Sequence, residues 1–130
     1  MNAKTEELLN RTFEFGVNAL KFLETLPKSN IYSILTYQLA KSSTSVGANY
    51  EEAQAAESSK DFIHKIGVVS KEARESNYWL RVFNAILPNS FKGKEFQNLL
   101  NESLELKKIF ITIKLNAQKN LKKENKKNDL

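Results

Sequence analysis

From Phe62 to Leu87 the residues Phe62, Ile66, Val69, Ala73, Ser76, Leu80, Phe83 and Leu87 succeed one another by alternating steps of four and three. That spacing keeps one face apolar over many helical turns and is the repeat of a bundle helix, since a strand would need a period of two. A helix this long with a narrow apolar seam buries it only against other helices. The rest of the chain supplies them.

The spacing predicts a first helix over about Ala3–Thr25, with Leu9, Phe13, Gly16, Leu20 and Leu23 on one stripe and Leu8, Phe15, Ala19 and Phe22 beside it; Pro27 stops it. Ser29 or Asn30 caps a second, whose stripe is Ile31, Leu35, Leu39, Ser42, Val46, Asn49, Ala53 and Ala56. Gly47 lies inside it, where glycine costs about 1 kcal/mol against alanine, which suggests a close crossing by another helix. Ser58 or Ser59 with Asp61 opens the third helix, and the run from Leu87 to Gly93 closes it. The fourth points Leu99, Ser103, Leu106, Phe110, Ile113, Ala117 and Leu121 inward; its segment IFITIKL alternates like a strand, but the helical pattern before it and the lack of a partner strand favour helix. With only four glycines and two prolines, the connections are short and neighbours run antiparallel. The fold class is therefore all-α, an up-down-up-down four-helix bundle over residues 1–119, with residues 120–130 a basic, disordered tail.

Charge is unevenly distributed. The formal net charge is +5, yet residues 1–91 hold ten basic and ten acidic side chains; residues 92–130 hold ten lysines and five acids. The excess lies on Lys107, Lys108, Lys114, Lys119, Lys122, Lys123, Lys126 and Lys127, together with Lys92 and Lys94. A lysine-rich helix end suits the macrodipole and aids solubility. It is also the electrostatic footprint of a site for RNA or DNA, and an acidic protein or membrane surface is a third partner of the same sign.

Polar residues fall where a bundle core should be apolar. Ser42, Ser45, Asn49 and Glu52 lie along or next to the second stripe, and Glu72 and Glu75 lie one step off the third, in line with Val68, Trp79 and Val82. Buried without partners they would cost several kcal/mol each, so they pair with one another or with Arg74 or Arg81, or meet a second protomer. Ser45, Asn49, Glu52, Glu72 and Glu75 thus read as a structural polar layer that fixes register.

Enzyme chemistry finds no footing. There is no cysteine, Gly-rich phosphate loop or nucleophile elbow. The lone His64 makes, with Asp61, half of a carboxylate-histidine element, too little for a metal site, and no cofactor is expected. Tyr32, Tyr37, Tyr50, Tyr78 and Trp79 can stack on bases, though at helical spacing they read first as core or subunit contacts. The mixed-charge N-terminus lacks the pattern of a secretory signal, and no apolar run spans a membrane, so a cytoplasmic location is expected.

At SVGANYEEAQ, DFIHK and KEARESNYWLR the sequence resembles the four-helix-bundle family of 23S rRNA intervening-sequence proteins, also called S23 ribosomal proteins. The likeness is strongest over Tyr37–Phe83, and Lys41 stands where many relatives carry arginine. The resemblance implies a ring, typically a homopentamer, and an association with RNA. A related group of retroelement accessory proteins implies binding to nucleic acid and to a protein. Two functions follow as expectations: a non-enzymatic, homo-oligomeric, RNA-associated protein, or a protein-interaction scaffold.

Overall fold

The computed structural model describes residues 2–129. Four helices follow in order: α1 (Ala3–Glu24), α2 (Asn30–Ala53), α3 (Ser59–Ile86) and α4 (Lys94–Asn128), with a 3₁₀ turn at Asn89–Phe91 before the last. The described residues contain no strand, and IFITIKL lies wholly within α4.

Side-chain oxygens start three of the helices. Asn2 accepts from the Thr5 N–H, Ser29 from Tyr32 and Ser58 from Asp61, each satisfying a donor with no partner inside its helix. α3 ends where Leu87 turns extended ahead of Pro88, a residue that disfavours helical backbone before it. The sequential pairs α1–α2, α2–α3 and α3–α4 pack extensively, whereas α1 and α4 meet along a thinner seam. On that seam Arg11 grips Glu102 with two bonds, Nε to Oε2 at 3.0 Å and Nη2 to Oε1 at 2.6 Å.

The core follows the predicted stripes on three helices. Ile66, Val69, Ala73, Ser76, Leu80, Phe83 and Leu87 are buried, as are Leu35, Leu39, Ser42 and Val46 of α2 and Leu99, Ser103, Leu106 and Phe110 of α4. Phe22 and Phe96 meet at a tilt, 5.1 Å apart, near one end, and Tyr50 meets Phe110 edge-on at 5.2 Å near the other. Ile31 departs from its stripe and is exposed.

α1 is turned relative to the expected stripe. Leu8, Thr12, Phe15, Gly16, Ala19, Phe22 and Leu23 are buried, while Phe13 and Leu20 face outward at 63% and 43% exposure. The cause is a close crossing with α2. A Cβ on Gly47 would sit 3.1 Å from the Thr12 carbonyl oxygen, and one on Gly16 would sit 3.3 Å from that of Ser43. Bringing the two backbones together aims Gly16 at α2, which swings Phe15 and Phe22 inward and Phe13 and Leu20 out.

From residue 120, where the sequence suggests a disordered tail, α4 continues as helix to Asn128; Leu130 lies outside the described residues. Leu121 remains partly buried, beside a pocket that also involves Phe62 of α3. Beyond it, residues 122–129 are all exposed.

Two glycine substitutions separate packing from propensity. Alanine gains about 1 kcal/mol over glycine in a helix interior. At Gly67 an added Cβ would meet only the flexible end of Lys114, 3.4 Å away. Gly67→Ala is therefore expected to raise the Tm, and Gly47→Ala, which presses on backbone, to lower it, by about 1–3 kcal/mol net of propensity. Thermal unfolding followed by circular dichroism reads both.

Candidate nucleic-acid interface

All eight lysines singled out from the sequence lie on α4. At 3.6 residues per turn, Lys108, Lys119, Lys122 and Lys126 share the side of the helix turned away from the core, with Lys123 and Lys127 on its flank. All six are exposed. Lys107 and Lys114 lie nearer to α3 and are partly buried; the Lys114 Nζ reaches over Gly67. Glycine there leaves room for the end of that side chain, its Cε and ammonium group.

Towards its start, the flank of α4 that faces α1 has the reverse sign. A groove of about 820 Å³ opens between α1 and α4, edged by Glu7, Glu14, Glu95, Glu102 and Glu105 over a floor that includes Phe15, Phe22 and Leu99. Arg11, held above its ordinary value by its bonds to Glu102, and Lys21 are the cations of that lining. A polyanion would be repelled from this groove and drawn to the lysines farther along the helix.

The residues expected to form a polar layer divide. Ser45 and Asn49 are partly buried and satisfied within α2: Ser45 Oγ donates to the Lys41 carbonyl at 2.7 Å, and Asn49 Nδ2 donates to that of Ser45 at 2.8 Å. Glu52 is exposed. Glu72 and Glu75 stand on the outer edge of α3 towards α2, half-buried, and among the described residues neither forms an ion pair with Arg74 or Arg81. Glu75 Oε1 accepts from the Trp79 indole at 3.3 Å. Burial, then the neighbouring Glu75 charge, push the Glu72 carboxyl above its ordinary range, with Lys71 and Lys41 opposing.

The polar contacts inside the bundle are made by neighbouring residues of α3. Ser76 Oγ lies 3.0 Å from Ser42 Oγ of α2, and Asn77 Nδ2 donates to Ser103 Oγ of α4, also at 3.0 Å. Every buried side-chain nitrogen and oxygen among the described residues has a partner. Ser42, Ser76 and Ser103 lay on the predicted stripes; Asn77 did not, and its only signal was its place beside Ser76 facing the fourth helix.

Tyr50 is a core residue whose hydroxyl is pushed up by burial, and Tyr32 packs against Phe83 at 6.5 Å. Tyr37 and Tyr78 are exposed, and Trp79 is half-buried. His64 is exposed, and no group of three or more metal-ligating side chains forms among the described residues. No helix there is long and apolar enough to cross a membrane.

Comparison with known proteins agrees with this architecture. A family model described as 23S rRNA-intervening sequence protein matches residues 4–112. Among solved structures, the chain is similar to a protein with unknown function from the S23 ribosomal protein family of Bacteroides thetaiotaomicron VPI-5482. The two are 31% identical, with a TM-score of 0.70, over 85% of this chain and 97% of that one. No curated protein matches.

The raised carboxyl of Glu72 has a measurable consequence. A carboxyl that titrates higher in the folded than in the unfolded chain holds more protons when folded, so stability falls as pH rises from the ordinary glutamate range through the raised value. Glu72→Gln is expected to raise the Tm at pH 7 and to flatten its decline across that window, as read by thermal unfolding at a series of pH values.

Proposed function

The chain belongs to the 23S rRNA-intervening sequence protein family, and from that premise we propose that it is a non-enzymatic, homo-oligomeric bundle protein that associates with RNA through the lysine face of α4. The observation that carries this reading is the segregation of charge on one helix. Six exposed lysines lie on the outward side and flank of α4, five of them between Lys119 and Lys127, whereas the α4 acids of the groove lie between Glu95 and Glu105, near its start. Contacts of this kind reach phosphate rather than base edges, so they give affinity without sequence readout. A cytoplasmic location belongs to the same proposal.

Self-association has its own support. Ile31, Ile34 and Tyr37 on α2 are each more than 60% exposed, and Phe13, Leu20 and Ile86 add to the apolar surface on the neighbouring helices. Large side chains so placed on one wall mark an interaction surface. A ring of five, as the family resemblance suggests, would join chains of net charge +5 each into a multivalent polycation. The same wall also favours a second reading, a scaffold that docks another protein with no direct role for nucleic acid. A stoichiometric protein partner recovered from nuclease-treated extract would favour that reading.

Two measurements test the proposal. In fluorescence anisotropy with a labelled structured RNA, binding is expected to weaken steeply with salt. Replacing Lys119, Lys122, Lys123, Lys126 and Lys127 by alanine is expected to weaken it about tenfold or more and flatten the salt slope. Unchanged binding in that variant, or none by the native chain at low salt, would overturn the RNA reading. Light scattering is expected to give an oligomer for the native chain and a smaller particle for Ile34→Glu, which would place a charge in the buried wall; a monomeric native chain would refute self-association.

A further inference from the structure

The buried contact between α3 and α4 does not end at Ser103. Ser103 Oγ donates its hydrogen to the Leu100 carbonyl at 2.7 Å, so it can only accept from Asn77 Nδ2. That fixes the orientation of the Asn77 carboxamide, whose oxygen then points out of the core and accepts from Arg81 Nε at 3.1 Å. Arg81 is exposed, and its guanidinium carbon lies 5.5 Å from the centre of the Tyr78 ring. A chain of hydrogen bonds that starts on a fully buried serine thus ends by clamping a surface arginine. Register between α3 and α4 would be set by Asn77 and Ser103 alone; the outward turn of the carboxamide oxygen adds nothing to it.

The clamp uses only Nε. Both terminal nitrogens of Arg81 have no partner among the described residues and keep the planar fork that matches a phosphate group. Arg74 lies two turns earlier on the same side of α3, about 10 Å away along the axis. It is exposed and has no acidic partner among the described residues. Across the seam, Lys107 and Lys114 of α4 are likewise two turns apart, and the contacts Asn77–Ser103 and Gly67–Lys114 fix the antiparallel register that puts Lys107 level with Arg74. The resulting line of cations runs along the seam from Arg81 to Lys114. Glu72 and Glu75 lie on the α2 side of α3, and Glu102 and Glu105 on the α1 side of α4, so no carboxylate interrupts it.

We infer that Arg81 and Arg74, with Lys107 and Lys114, form a phosphodiester-binding seam between α3 and α4, in which Arg81 is the preorganised contact held by Asn77. The inference rests on the RNA reading above and extends it from the end of α4 onto the body of the bundle. A guanidinium already fixed in place loses less side-chain entropy on binding than a free lysine. Arg81 is therefore expected to contribute more than any single lysine of the α4 end.

The test is anisotropy of a fluorescein-labelled RNA hairpin titrated with the full chain at several salt concentrations. Arg81→Ala is expected to bind about tenfold more weakly at low salt, with the slope of log K against log salt reduced by about 0.7–0.9. Arg81→Lys keeps the charge but loses the fork, and is expected to keep the slope and bind about threefold more weakly. Lys21→Ala, on the acidic flank, is the control expected to bind as the native chain does. Native affinity and slope in Arg81→Ala, with binding still weakened by the α4 lysine substitutions, would overturn the arginine seam and leave the RNA reading in place. Absence of binding by the native chain would overturn both. Displacement of the hairpin by polyglutamate as readily as by polyphosphate would overturn the assignment to phosphate and make the seam a site for an acidic protein. Were Arg81→Ala to unfold, Arg81→Lys would decide by the same comparison.

Discussion

Two consecutive residues of α3 hold the bundle in register. Ser76 reaches Ser42 on one side and Asn77 reaches Ser103 on the other, so one turn of one helix ties down both neighbours. Each contact is buried and polar; slipping α4 by a turn would leave the Asn77 amide unpartnered, at about 1–3 kcal/mol, and slipping α2 would lose the Ser76–Ser42 bond, although the serines keep the carbonyls of their own helices. The apolar seams alone would tolerate such a slip, because leucine and phenylalanine pack against many neighbours. The polar contacts therefore select one arrangement among several that hydrophobic burial would accept.

The surface inherits that precision. Fixing α4 against α3 aligns Lys107 with Arg74, seats Lys114 over Gly67, and passes a hydrogen bond through Asn77 to Arg81. The close α1–α2 crossing at Gly16 and Gly47 acts in the other direction, turning Phe13 and Leu20 outward on the helix beside the one that exposes Tyr37. One helix pair thus carries an apolar wall and the other a basic seam, with an acidic groove where α1 and α4 meet.

Helix count, order and the caps of α2 and α3 were legible in the sequence because each rests on local chemistry: alternating steps of four and three, serine before the first turn, proline after the last. The inner faces of α2, α3 and α4 were legible for the same reason. α1 was not, because it is apolar on two adjacent stripes and the choice between them is made by the backbone contact with α2. The lysine face could be read as a charge excess, but not its division into an outward row on α4 and a pair against α3. Arg74 and Arg81 were among the alternatives read as partners for Glu72 and Glu75; helical geometry turns the arginines towards α4 and the acids towards α2. Asn77 was missed because it stands one residue off the seam, where only the position of α4 shows that it is buried.

The most direct test of a register-locked cationic seam is an NMR titration of the chain with RNA, observing the arginine Nε–Hε signals. The expected result is two protected Hε signals in the free protein, those of Arg11 and Arg81; on addition of RNA the Arg81 signal shifts together with that of Arg74, while that of Arg11 on the acidic flank stays in place. A freely exchanging Arg81 Hε, or RNA-induced shifts that spare Arg74 and Arg81, would contradict it.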